Sequence, residues 1–182
     1  MRIAIDIDDT ITDTSIFTDE LVLKNKLSDI CKKDEYYTTG RYNWSSKQDD
    51  EFWDANIEYI LTNAPIKKDA VEVINKLHDE GYEIYIITAR YNQYSKDVFS
   101  ITMNYLKRHN INYDEIIFNA HDKAKTCIEN NIDVFIDDYI NNIESVSRVG
   151  IDTIVFDADH NKDSNKKRAY TWHDVYDLIT RR

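Results

Sequence analysis

The sequence predicts an α/β fold: a parallel, Rossmann-like sheet flanked by helices in three layers, α/β/α, with a small helical segment inserted after the first strand. Two observations predict it. Short β-branched and aromatic runs at residues 3–7, 84–87, 115–118, 134–136 and 153–156 alternate with stretches whose apolar positions recur at helical spacing. Several of these runs also end on polar residues, Asp6, Thr88 and Asp137 among them. An open α/β sheet builds its sites at the carboxyl ends of its strands.

The elements follow in order. Ile3, Ile5 and Ile7 read as a buried strand. Asp6, Asp8 and Asp9 crowd carboxylates beside it, which no core holds without a cation or protons. Residues 11–64 change character. Ser15, Phe17, Leu21, Val22 and Leu23 suggest a helix. A polar, aromatic stretch follows, with a turn expected at Gly40. Phe52, Trp53, Ile57, Ile60 and Leu61 mark a second helix. With no strand-like run, this segment is expected to be a helical insert.

Pro65 is expected in the first turn of the next helix, where its missing N–H costs nothing. That helix buries Ala70, Val71, Ile74 and Leu77 and closes at Gly81. The second strand, 84–87, ends at Thr88-Ala89-Arg90, and a helix over 95–108 follows. A third strand, a short helix over 121–130, a fourth strand ending at Asp137-Asp138, a helix over 139–149 and a fifth strand come next. A polar loop at 159–168 leads to a last helix with Trp172, Val175, Leu178 and Ile179.

Composition bounds the function. The 182 residues carry a net charge of −11. Such a surface repels duplex nucleic acid and anionic membranes, so neither is expected as a partner. A small anionic substrate then needs a local cation. Cys31 and Cys127 are far apart without metal-ligand spacing, and both are expected reduced. No signal peptide and no membrane-length apolar run are evident, so a cytoplasmic location is expected. Monomer and homodimer both stay open.

Asp6-x-Asp8-x-Thr10 after a strand, Thr88 ending a second, Lys123 opening a later helix and Asp137-Asp138 ending another strand resemble the four motifs of the haloacid dehalogenase (HAD) superfamily of phosphohydrolases. They come in that superfamily's order and span nearly the whole chain. The insert matches its C1 cap position. The resemblance therefore implies a HAD-like core of residues 1–10 and 65–182 with a cap of residues 11–64. The Thr88-Ala89-Arg90 run and the double aspartate most resemble the 5′-nucleotidase branch, which includes deoxyribonucleotidases.

The resemblance implies a phosphatase with Mg²⁺ as cofactor. Asp6 is the candidate nucleophile, forming an aspartyl-phosphate, and Asp8 the acid and then the base. For both to serve one site the chain must bend after Asp6. Asp6, the Asp8 carbonyl and Asp138 would hold the metal, with Asp137 supporting. Thr88 and Lys123 would bind phosphate oxygens, Lys123 being preferred to Lys125. Arg90 is expected near the phosphate or in a surface ion pair, and His121 as a cap or surface residue. Asp9 stands where a Gly is common, and Asp tolerates unusual backbone angles. In the cap, Tyr42 and Trp44 are the expected substrate contacts, with Phe52 and Trp53 packing its core. The implied substrate is a small phosphorylated molecule, a (deoxy)nucleoside monophosphate. A sugar phosphate, a polynucleotide 3′ end, or a non-catalytic metabolite-binding role are the alternatives.

Overall fold

The computed structural model describes residues 1–181. Its centre is a six-stranded parallel sheet of order β3-β2-β1-β4-β5-β6. The strands are β1 (Arg2–Ile5), β2 (Glu83–Ile87), β3 (Glu115–Ile117), β4 (Val134–Asp137), β5 (Asp152–Phe156) and β6 (Arg168–Ala169). β1 is central: Ile3 pairs with Ile84 on one side and Val134 on the other, and Ile5 with Ile86 and Ile136. A strand buried on both faces reads as an unbroken apolar run, which is why Arg2–Ile5 carries no alternation.

Eight α-helices accompany the sheet among the described residues: α1 (Thr14–Lys24), α2 (Thr38–Tyr42), α3 (Ser46–Asn63), α4 (Ala70–Asp79), α5 (Val98–Arg108), α6 (Lys123–Glu129), α7 (Ile140–Arg148) and α8 (Trp172–Thr180), with a single 3₁₀ turn at Asp159–Asn161. One face of the sheet, with Ile3, Ile5 and Ile86, packs on Leu77 of α4, Leu106 of α5 and Trp172 of α8. The opposite face, with Ala4, Ile87 and Phe135, packs on Cys127 of α6 and on Ile143 and Val146 of α7. The layers are therefore α/β/α. α1, α2 and α3 pack around a separate cluster of Val22, Tyr42, Phe52 and Ile60. Ser45 starts α3 with a capping box, its hydroxyl accepting the Gln48 N–H and the Gln48 side chain accepting the Ser45 N–H.

Three local expectations are corrected. Pro65 does not begin a helix. Its carbonyl accepts the Asp13 N–H at 2.8 Å, Ile66 bridges Thr12, and α4 starts only at Ala70. The outgoing and returning chains pair here, and that pairing uses the Pro65 carbonyl outside any helix. Gly40 is not a turn but lies inside α2, and the turn falls on Asn43 at φ 55°. β6 was not expected, because two residues are too few to show periodicity.

Candidate active site

The site forms where the sequence predicts the loops to converge. β1 ends, and Asp6 N–H bonds the Ile136 carbonyl at 3.0 Å. The chain then bends around the Ile7 carbonyl, which accepts the N–H groups of Ile11 and Thr12 at 2.9 and 3.0 Å. Asp9 supplies the left-handed step at φ 57° and is fixed by accepting the Ser15 N–H at 2.8 Å and the Ser15 hydroxyl. Side chains two residues apart already share a face of an extended strand, so the bend is not what brings Asp6 and Asp8 together; it turns the chain off the sheet edge toward α1 at Thr14.

Asp6, Asp137 and Asp138 are buried and bring ligand oxygens within 4.8 Å of one another. Lys123, 2 % exposed at the first turn of α6, reaches Asp6 Oδ1 at 2.5 Å and also the Ile87 carbonyl. Three carboxylates against one ammonium leave two negative charges. Burial first, and then the neighbouring carboxylates, raise Asp137 and Asp138 well above the ordinary carboxylate range. Burial also raises Asp6, outweighing the pull of Lys123. Lys123 itself is raised, because Asp6 and Asp137 outweigh the burial that would lower it. A group of hard oxygen donors short of two positive charges fits a divalent cation.

Asp137 accepts the Tyr139 N–H at 2.8 Å and the Asn142 amide at 2.9 Å, one on each oxygen. Asp138 is less occupied: Thr10 donates to Oδ1 at 3.2 Å, while Oδ2 lies 2.9 Å from His160 Nε2 without a directed hydrogen bond. Burial lowers His160 and favours its neutral form. Thr88 is buried at the end of β2, its hydroxyl accepting the Arg90 N–H at 3.2 Å.

The raised carboxylates make a signed prediction. In the metal-free protein they keep protons to higher pH than in the unfolded chain, so stability falls as pH rises above the ordinary carboxylate range. The metal-free Tm is therefore expected to drop between about pH 5 and about pH 8, and added magnesium to raise Tm more at the higher pH. A thermal scan in which the magnesium shift is equal at both pH values contradicts this.

Arg90 is turned onto Asp8 rather than into a surface ion pair. Its Nε and one Nη bond the two Asp8 oxygens at 2.9 and 2.7 Å, and the other Nη bonds the Thr102 hydroxyl at 3.1 Å. Thr14 also donates to Asp8 at 2.8 Å. Burial would raise Asp8, but Arg90 outweighs it and holds the carboxyl below its usual range. Lys125 is exposed and faces Glu129 at 3.9 Å, away from the carboxylates. His121 sits edge-on to Tyr91 at a ring separation of 5.0 Å.

A cavity of about 380 Å³ runs from Asp8 and Arg90 into the helical insert, where Tyr42 and Trp53 line it. Tyr42 is also deeply buried, with its hydroxyl donating to Asp19 at 2.6 Å. Trp44 does not line the cavity; it packs on Tyr42 and Phe52 at ring separations of 4.6 and 5.0 Å. Trp53 packs on the cap cluster as expected, edge-on to Phe52 at a ring separation of 5.5 Å, and its outer side also lines the cavity.

Several residues here escaped the sequence reading. Tyr36 stacks on Tyr139 at 3.9 Å and stands edge-on to His160 at 5.0 Å, beside the carboxylates. Arg41 holds the strap of residues 33–37 that carries Tyr36. It pairs with both Asp19 oxygens at 2.7 and 2.6 Å and bonds the Lys33 and Glu35 carbonyls at 3.0 and 3.1 Å. Asn161 bonds the Asp138 carbonyl at 2.7 Å and that of Phe156 at 2.8 Å. The loop carrying His160 and Asn161 has no periodicity to signal it.

The fold, a parallel sheet of this order with carboxylates gathered at the ends of its central strands, is shared with solved HAD-like hydrolases. A HAD-like hydrolase from Streptococcus pneumoniae superposes with a TM-score of 0.71 at 14 % identity, covering 98 % of both chains. A HAD-superfamily hydrolase from Ehrlichia chaffeensis does so with 0.58 at 16 % identity, covering 99 % of this chain and 96 % of that one. Residues 1–182 match the model of one family, and the chain belongs to it: 5′ nucleotidase, deoxy (pyrimidine), cytosolic type C. A protein named as a nucleotidase from Clostridium acetobutylicum is 31 % identical over 187 residues, covering all of this chain and 94 % of that one. The protein is an enzyme of the nucleotidase and phosphatase class. Among the described residues no helix is long and apolar enough to cross a membrane.

Proposed function

We propose that the chain is a Mg²⁺-dependent phosphomonoesterase acting through an aspartyl-phosphate on Asp6, with (deoxy)nucleoside monophosphates as substrates in the cytoplasm. The observation that carries this reading is Asp6 held by Lys123 within a buried group of three carboxylates that is two positive charges short. The acidic surface supports a small substrate over a polynucleotide.

Asp6 attacks phosphorus and the bond to the leaving oxygen breaks, with Asp8 supplying the proton that oxygen needs. Water then gives a proton to Asp8, attacks phosphorus and releases Asp6. Arg90 favours ionised Asp8, which suits the second step. The first step needs Asp8 protonated, and a bound phosphate dianion beside it favours that form. Lys123 and Thr88 steady the phosphoryl oxygens. Asp6, Asp137, Asp138 and the Asp8 carbonyl would hold Mg²⁺, which when bound neutralises charge on the transferring group. Residues 11–64 act as a cap over the core of 1–10 and 65–182 and contribute Tyr42 and Trp53 to the leaving-group cavity.

The test is phosphate release from a panel of nucleoside monophosphates and sugar phosphates, with magnesium and with EDTA. Magnesium-dependent release is expected to favour nucleotides, and Trp53→Ala to raise KM for a nucleotide roughly tenfold, as loss of base stacking does. Trp44→Ala should lower Tm instead. Better turnover of sugar phosphates overturns the substrate reading, and no release from any monoester overturns the activity.

A further inference from the structure

The strap of residues 33–37 carries a hydroxyl that the phosphoryl site has not yet used. The ring of Tyr36 is firmly held. It lies face to face with Tyr139 at a ring separation of 3.9 Å, and edge-on to Tyr37 and to His160 at 5.0 Å each. Its supports are themselves tied down. Tyr139 follows Asp138 directly, and its N–H bonds Asp137 at 2.8 Å. The Tyr37 and Tyr139 hydroxyls bond each other at 3.0 Å. On the strap itself, Arg41 holds the carbonyls on both sides of Asp34, those of Lys33 and Glu35.

The hydroxyl end of Tyr36 is different: it makes no hydrogen bond with any described residue. Yet it faces the phosphoryl site. Burial first, and then Asp138, Asp6, Asp137 and Asp8, raise it far above the ordinary tyrosine range. The hydroxyl therefore keeps its proton and is a donor at any working pH. It feels four carboxylates and bonds none of them, so a gap separates it from them. Tyr36 and Asp8 both line the cavity that opens there, and Tyr36 is 39 % exposed, enough for a bound molecule to reach it.

We infer that the Tyr36 hydroxyl is a further phosphate-binding group, donating a hydrogen bond from the insert to an oxygen of the transferring phosphoryl group, while Lys123 and Thr88 act from the core. This rests on the phosphatase reading of the same site and is independent of the leaving group. The acceptor that four carboxylates cannot supply across the gap is an oxygen that the substrate brings into it. Charge spreads over the phosphoryl oxygens in the transition state, and a donor fixed beforehand needs no reorganisation to meet it. The insert then takes part in the chemistry as well as in holding the leaving group.

The experiment compares the wild type with Tyr36→Phe and Tyr36→Leu. Turnover of a nucleoside monophosphate and of p-nitrophenyl phosphate is measured with saturating magnesium, and the dissociation constants of inorganic phosphate and of magnesium by calorimetry. Tyr36→Phe keeps the ring contacts, so its Tm should stay within about 2 °C of wild type, whereas Tyr36→Leu should melt lower. In both variants phosphate should bind roughly tenfold or more weakly, and kcat/KM should fall by at least about tenfold on both substrates alike, as for one lost hydrogen bond to a charged group. Magnesium affinity should not change. Phosphate affinity and turnover within about threefold of wild type in Tyr36→Phe overturn the inference, because the ring alone then accounts for the residue. A loss confined to the nucleotide places the hydroxyl on the base or sugar and overturns it too. So does weaker magnesium binding with phosphate affinity unchanged, which places the hydroxyl on the metal's waters. No phosphate release from either substrate by the wild type overturns the phosphatase reading itself, and the inference with it.

Discussion

Asp6→Asn is expected to abolish phosphate release while making the metal-free protein more stable. The amide removes the nucleophilic oxygen, and loss of a nucleophile costs on the order of 10⁴-fold or more in kcat. Asn can still accept from Lys123, so the contact now at 2.5 Å has a replacement. What disappears is one of three buried negative charges. Burial and neighbouring charge raise all three carboxylates in the folded state, so removing one relieves repulsion. A gain of about 1 kcal/mol corresponds to a Tm rise of roughly 2–4 °C in a chain of this size, read without metal near neutral pH. Added magnesium should then stabilise the variant less than the wild type. Activity within tenfold of wild type rules out Asp6 as nucleophile.

Lys123→Met is expected to damage both folding and function. Lys123 is 2 % exposed, and it is the cation that bonds Asp6. Breaking a buried pair by removing one partner costs about 3–5 kcal/mol, because the other charge stays buried and uncompensated. In a chain of this length that is a Tm drop on the order of 10 °C. The sign with pH follows from the carboxylates: they take up protons as pH falls, so the deficit should shrink toward pH 5 and grow toward pH 8. Lys125→Met, on an exposed residue facing Glu129 at 3.9 Å, should change Tm by less than the drop in Lys123→Met and leave turnover intact. Melting scans of the two variants at both pH values separate these expectations. An equal effect of the two substitutions contradicts the role given to Lys123.

What could be read from the chain and what could not divides along physical lines. Asp6, Thr88, Asp137 and Asp138 could be placed because each lies at the end of a buried aliphatic run, and parallel topology sends all such ends to one edge of the sheet; Lys123 was singled out only by the resemblance to the superfamily's motifs. The partner of Asp8 was not visible in the same way. Arg90 lies 82 positions away, and no periodicity encodes that it turns onto Asp8. His160 and Asn161 arrive on a single 3₁₀ turn, three residues being too few to show a spacing. Among the aromatic residues of the insert, Tyr42 was sorted to the cavity correctly and Trp44 was not. Which of Tyr36, Trp44 and Trp53 face the cavity is set by how α3 and the strap pack, and in particular by Arg41 holding the Lys33 and Glu35 carbonyls. Pro65 misled for a related reason: pairing of Thr12 with Ile66 overrode a local helix preference.

The central claim is that Asp6 is phosphorylated during turnover, and the most direct measurement is an acid-quenched single turnover with a ³²P-labelled nucleoside monophosphate. The account predicts label on the amino-terminal peptide that carries Asp6 at short times, its loss as free phosphate appears, and no labelled peptide in Asp6→Asn. Release of labelled phosphate with no labelled peptide at any quench time, or label that persists in Asp6→Asn, would contradict it.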